Sequence, residues 1–124
     1  PWGTLTAINL EAAEIVWRVP LGDYPAILEL GESGLGAENY GGPIVTAGDL
    51  LFIAGTPDGL LRAFDKRSGE VLWHAELPAP GFATPMSYAV DGRQYLVVAA
   101  GGGKLGSLSS GTYVAYALPM SKSE

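Results

Sequence analysis

The sequence contains no cysteine, one histidine, and seven Lys and Arg residues against thirteen Asp and Glu. Without cysteine, neither a disulfide nor a thiolate metal site can form within the chain, a composition that fits cytoplasm and periplasm alike. A lone His74 among scattered carboxylates argues against a self-contained metal centre. The basic residues are dispersed, apart from Lys66-Arg67, in a chain of formal charge −6, which argues against a nucleic-acid surface. No apolar run approaches the roughly 20 residues that a membrane helix requires, and no signal-peptide pattern is visible. No stretch keeps a 3.6-residue apolar period over three turns, so long amphipathic helices are not expected.

What is there points the other way. Eighteen glycines and nine prolines suit many short strands joined by turns, and 48% hydrophobic residues with only 16% charged suit a packed interior. At 124 residues the chain has the length of one ordinary domain. The expected fold class is all-β.

The most informative stretch is residues 61–73, LRAFDKRSGEVLW. Leu61 to Phe64 alternate apolar and polar, the period of a half-buried strand. Asp65 to Gly69 supply turn chemistry, since Asp can bond forward to its own backbone and Gly accepts positive φ. Glu70 to Trp73 restart the strand. The same unit occurs at residues 5–17, LTAINLEAAEIVW, with Ala7, Asn9, Ala13, Glu14 and Trp17 matching Ala63, Asp65, Gly69, Glu70 and Trp73 at a constant offset of 56 residues. A truncated third copy lies at residues 113–118, where Ala115 takes the Ala63 role. Repetition of a strand–turn–strand unit at a period in the fifties is the mark of four-stranded propeller blades.

The expected organisation is a partial β-propeller of about two and a half four-stranded antiparallel blades carrying tryptophan-docking repeats. Residues 1–19 read as half a blade, 20–42 as a long loop, 43–77 as a full blade and 83–119 as a three-stranded last blade. A single helical turn is expected near residues 26–30, and the tail 120–124 is expected to fray. Beginning abruptly at Pro1-Trp2, the chain reads as a C-terminal propeller fragment whose start lies upstream.

Gly101-Gly102-Gly103-Lys104-Leu105-Gly106 matches G-x-G-x-x-G and follows a strand. A dinucleotide fingerprint also needs a helix at the last glycine and an acidic residue downstream. Here Ser107 to Gly111 lead into another strand, and Leu105 stands where a phosphate loop needs Ser or Thr. Two readings remain: a wide turn, or a loop whose amide N–H groups and Lys104 meet an anion such as a carboxylate. In a propeller, this loop shares one face with residues 55–60, 20–42 and 78–83. Asp49, Asp58, Asp65 and Asp91 read as turn formers, and His74 as a surface residue of an outer strand. Ser68, Ser107 and Ser109 have no identifiable base, so nucleophilic catalysis has no support. No catalytic residue and no metal ligand is assigned.

Ala63-x-Asp65-x-x-Ser68-Gly69-Glu70-x-x-Trp73 resembles the tryptophan-docking motif of the pyrroloquinoline quinone (PQQ) dehydrogenases. Glu38-Asn39-Tyr40-Gly41-Gly42-Pro43, Gly81-x-Ala83-Thr84-Pro85-Met86 and residues 95–103 and 113–119 extend the resemblance to nearly the whole chain. The nearest branch is the membrane-bound glucose/quinate/shikimate type. The resemblance implies an eight-bladed periplasmic enzyme, its parent anchored to the inner membrane by an N-terminal region that this chain lacks. It implies hydride transfer from a sugar or alcohol to the quinone, with electrons passed to ubiquinone and a calcium ion held by blades outside this chain. As cofactor contacts it implies Tyr40, Gly102, Gly103 and Lys104, with Asn39 added by adjacency. Lys104 departs from the aromatic of the methanol-oxidising relatives, and Gly103 from a histidine common in glucose-type members, which leaves the substrate open. Repeats of this type also build non-catalytic scaffold propellers for outer-membrane protein assembly. Taken alone, the fragment is expected to self-associate through exposed blade flanks and not to turn over.

Overall fold

The hairpin signals at residues 5–17 and 61–73 fold into the same object twice. In the computed structural model, which describes residues 1–120, β1 (Thr4–Asn9) and β2 (Glu14–Pro20) form a two-stranded antiparallel sheet. The expected fraying of the tail falls, from residue 121 on, outside the described residues. In the first hairpin Ala7 pairs with Trp17, and in the second Ala63 pairs with Trp73. A bulge follows each alanine, between Ala7 and Ile8 and between Ala63 and Phe64. The turns match as well. The Asn9 side chain accepts the Glu11 and Ala12 amides, as Asp65 accepts those of Arg67 and Ser68. Gly69 sits at φ +75° and its counterpart Ala13 at φ +55°, so the degenerate copy keeps the turn with a residue that resists it.

The second sheet runs β3 (Ile44–Val45), β4 (Leu50–Ile53), β5 (Leu60–Asp65), β6 (Val71–Glu76) in order, all antiparallel. The third runs β7 (Met86–Val90), β8 (Arg93–Ala100), β9 (Thr112–Tyr116). A short helix α1 (Pro25–Leu28) interrupts the long connection after β2, with Pro25 at its first turn.

Two apolar layers separate the three sheets, and the period of two along each strand supplies both. Leu5 and Leu21 pack with Leu51, Ile53 and Phe64 between the first and second sheets. Leu61 meets Leu96 and Val98 between the second and third, with Phe52, Val114 and Tyr116 at the margin. Neighbours on one strand thus face opposite layers, as a sheet packed on both faces requires. Each fully buried Phe or Leu contributes about 1.5–3 kcal/mol of burial free energy.

The tryptophans close these layers. Trp17 donates its indole N–H to the Lys66 carbonyl at 3.0 Å, and Trp73 meets Tyr116 edge-on with centroids 5.4 Å apart. Each Trp therefore reaches from its own sheet to the next one, the docking role read from their equivalent positions. Where β4 turns into β5, Asp58 receives an ion pair from Arg62 at 2.5 Å and hydrogen bonds from the Thr56 hydroxyl and the Asp23 and Leu60 amides. Asp58 forms its turn as expected, but it also ties the long connection to the second sheet.

Candidate functional site

The loops at one end of the three sheets converge because backbone bonds draw them together. Gly101 donates its N–H to the Pro80 carbonyl at 2.8 Å and forms a parallel bridge with Gly81. Tyr40 donates its amide to the Gly55 carbonyl at 3.0 Å, and the Asn39 side-chain amide donates to the Ala54 carbonyl at 3.2 Å. Gly42 donates to the Thr84 hydroxyl at 2.9 Å. Residues 20–42, 55–60, 78–83 and 101–111 thus meet on one face.

Tyr40 and Lys104 come together there across 64 positions of sequence. The Lys104 ammonium lies 4.6 Å from the centroid of the Tyr40 ring, a cation–π contact. Phe82 meets the same ring edge-on at 6.0 Å. The Tyr40 hydroxyl donates to a Glu38 carboxylate oxygen at 2.9 Å. That bond, followed by the Glu38 charge, raises the Tyr40 pKa above the usual phenol value.

Gly102 and Gly103 adopt φ +97° and +61°, and Gly101 a φ of +133°. A side chain at Gly101 would run into the Ser110 backbone, whereas the space beside Gly102 is open. The loop is more structured than a wide turn. Lys104–Gly106 form a short turn with left-handed backbone at Leu105 (φ +56°) and Gly106 (φ +72°). This turn is too short to act as the helix of a dinucleotide fold, so that reading fails on structure as it did on sequence.

Beside this loop opens a cleft of about 350 Å³ whose lining includes Phe82, Ala99, Gly102, Lys104, Ser110 and Tyr113. Among the described residues, no carboxylate lines it. Lys104 belongs to none of the ion pairs found among the described residues, which are Arg62–Asp58, Lys66–Asp49 and Arg67–Asp49. Within the loop the Ser107 hydroxyl is buried with no hydrogen-bond partner. A cleft lined by no carboxylate, with the Lys104 ammonium and the Phe82 and Tyr113 rings in its lining and Tyr40 beside Lys104, suits a planar anionic ligand, and PQQ, a carboxylated quinone, fits that description. Among the described residues, no group of three or more His or carboxylate side chains is placed to hold a metal ion.

The structure therefore gathers Tyr40, Gly102, Gly103 and Lys104, while Asn39 turns its amide inward to hold the Tyr40 segment against the second sheet. Sequence reasoning gave no role to Glu38 or Phe82. For Glu38 a signal existed in its place two residues from Tyr40, in the same Glu38-Asn39-Tyr40 motif. Phe82 carried none; it becomes a neighbour of Tyr40 only through packing of the link against the loop.

The comparisons with known proteins cover most of the chain. A sequence profile described as PQQ, glucose/ethanol/alcohol dehydrogenase, beta-propeller domain, matches residues 1–96. Quinoprotein glucose dehydrogenase A of Acinetobacter calcoaceticus is 41% identical over 98% of this chain and 16% of its own length. The quinate/shikimate dehydrogenase (quinone) of Acinetobacter baylyi is 44% identical over 95% of this chain, again 16% of its own length. Among solved structures, the quinohemoprotein alcohol dehydrogenase from Comamonas testosteroni superposes with a TM-score of 0.63 at 33% identity, over 82% of this chain and 13% of that one. The chain thus spans about a sixth of the length of the curated relatives it matches. With its docking repeats, its stacked antiparallel sheets and this match, the chain belongs to the PQQ-dependent glucose/ethanol/alcohol dehydrogenase β-propeller family.

Proposed function

We propose that this chain supplies one wall of the PQQ site in a dehydrogenase that oxidises a sugar or alcohol. The carrying observation is the contact between Lys104 and Tyr40. The resemblance assigns these two residues to the cofactor through separate motifs, and in the fold their side chains are in contact, with Lys104 lining the cleft and Tyr40 beside it. Bound there, PQQ supplies the acceptor for the hydride leaving the substrate's carbinol carbon. The chain's own residues bind and orient. The Tyr40 ring offers an apolar face, the Lys104 ammonium attracts carboxylate, and Gly102 and Gly103 bring backbone close to the ligand without side-chain bulk. Phe82 and Tyr113 add aromatic surface to the cleft lining.

The remaining parts of this reading rest on the family. Electrons pass on to ubiquinone, a calcium ion is held by blades outside this chain, and the complete protein works in the periplasm from an inner-membrane anchor. No helix among the described residues is long and apolar enough to cross a membrane. As a separate polypeptide the chain self-associates without turnover. Its outer sheets expose Ile8, Ile15, Val90 and Tyr113, an apolar flank on each side. Light scattering on the isolated chain checks this, and a monodisperse monomer would contradict it.

The experiment that tests the cofactor reading is a PQQ titration of the complete protein with calcium, followed by tryptophan fluorescence quenching. Tyr40→Ala and Gly103→Asp should each weaken binding severely; Tyr40→Ala should leave thermal unfolding near wild type, whereas Gly103→Asp should also cost about 1 kcal/mol for its left-handed φ. Unchanged affinity would leave residues 101–106 as a turn. A complete protein that binds no PQQ would favour the scaffold propeller instead.

A further inference from the structure

Glu38 carries none of the contacts assigned to the cofactor, yet its carboxylate holds the aromatic ring that does. The Tyr40 side chain is partly exposed, at 36%, and needs fixed contacts to present one face steadily. It has an edge contact with Phe82, the Lys104 ammonium on its ring, and one hydrogen bond to its hydroxyl, from which Glu38 takes the proton side at 2.9 Å. Glu38 is itself anchored, because its backbone N–H donates to the Tyr24 hydroxyl at 3.1 Å beside α1. A continuous series thus runs from Tyr24 through Glu38 and Tyr40 to Lys104, joining the 20–42 connection to the 101–111 loop.

We propose that Glu38 is a positioning residue for the Tyr40–Lys104 wall. By accepting the phenol proton it fixes the ring before any ligand arrives, so the ammonium keeps its place at the lip of the cleft. A hydrogen bond to an ionised carboxylate is stronger than a neutral one, which suits it to this task. A wall ordered in advance spares the ligand the entropy of ordering it. Glu38 touches no ligand in this role; it acts through Tyr40. The inference rests on the cofactor reading of this cleft.

The test is a double-mutant cycle on the complete protein, with PQQ titrated by fluorescence quenching and folding followed by thermal unfolding. Glu38→Ala should weaken PQQ about tenfold, the order expected for losing one charge-assisted bond and its ordering effect. Glu38→Gln should recover most of that loss, since its amide oxygen accepts the same proton. In a Tyr40→Phe background, Glu38→Ala should cost nothing further. A second readout needs no cofactor. The tyrosinate absorbance assigned to Tyr40, by difference from Tyr40→Phe, should move to lower pH in Glu38→Ala. Equal losses in both backgrounds, or a Glu38→Ala protein with unchanged affinity, would overturn the proposal. Wild-type protein that binds no PQQ would sink the cofactor reading and this inference together. The phenol titration separates that failure from one of Glu38 alone.

Discussion

The indole of Trp17 lies against Gly69, a residue of the neighbouring sheet, where an added Cβ would sit 2.7 Å from the ring. The bare turn is therefore part of the joint between sheets. Gly69→Ala should destabilise the fold by about 2 kcal/mol, from the left-handed φ and the overpacked ring together. Trp17→Ala should cost about as much by emptying the same space. Urea denaturation with unchanged slope would measure both. A Gly69→Ala protein as stable as wild type would mean that the ring swings away without penalty.

Ala13 occupies the turn position that Gly69 holds in the better copy, at φ +55°. Ala13→Gly relieves a conformation costing L-residues about 1–2 kcal/mol, offset in part by the freedom gained in the unfolded chain. The expected net effect is a stabilisation of about 0.5 kcal/mol. A fall in midpoint would show that the left-handed strain is smaller than the entropy.

Asp58 is nearly fully buried and paired with Arg62. Burial works to raise its pKa, but the Arg62 hydrogen bond and charge, with the Thr56 and Leu60 donors, outweigh it and leave the carboxyl below its ordinary value. A depressed folded pKa stabilises in full above the unfolded value of about 3.9 and loses that contribution as pH falls through the folded value. Stability should therefore drop below about pH 4, and Asp58→Asn should flatten that drop. Asp58→Ala strands a buried guanidinium and should cost about 3–5 kcal/mol. An acid limb unchanged in Asp58→Asn would assign the acid sensitivity elsewhere.

Lys104 gives the cleft its positive charge. Lys104→Met keeps the stem and removes the charge, and should weaken PQQ about fivefold, as an exposed cation contact predicts. It should also flatten the salt dependence of binding. Lys104→Arg should bind nearly as well as wild type. If Met and Lys bind equally at every salt concentration, the ammonium does not meet the ligand.

Much of this molecule was legible in one dimension. The paired hairpins, their Asx turns and the tryptophans follow from residues 5–17 and 61–73 alone, because turn chemistry and strand period act over a few positions. The all-β class followed from the same signals. The glycines of residues 101–103 announced a loop, but not the left-handed turn after them, for Leu105 carries no mark of positive φ.

Which side chains face one another was decided only in three dimensions. Tyr40 and Lys104 meet because separate backbone bonds, Tyr40 to Gly55 and Gly101 to Pro80, pull two loops to one face. Asp58 became a buried ion-pair partner, and Phe82 a neighbour of Tyr40, through packing between segments that sequence leaves far apart. Local propensity acts through the chain and can be read along it. The meeting of Tyr40 with Lys104 depends on how the sheets stack, and that is fixed by the apolar layers on both faces of the second sheet.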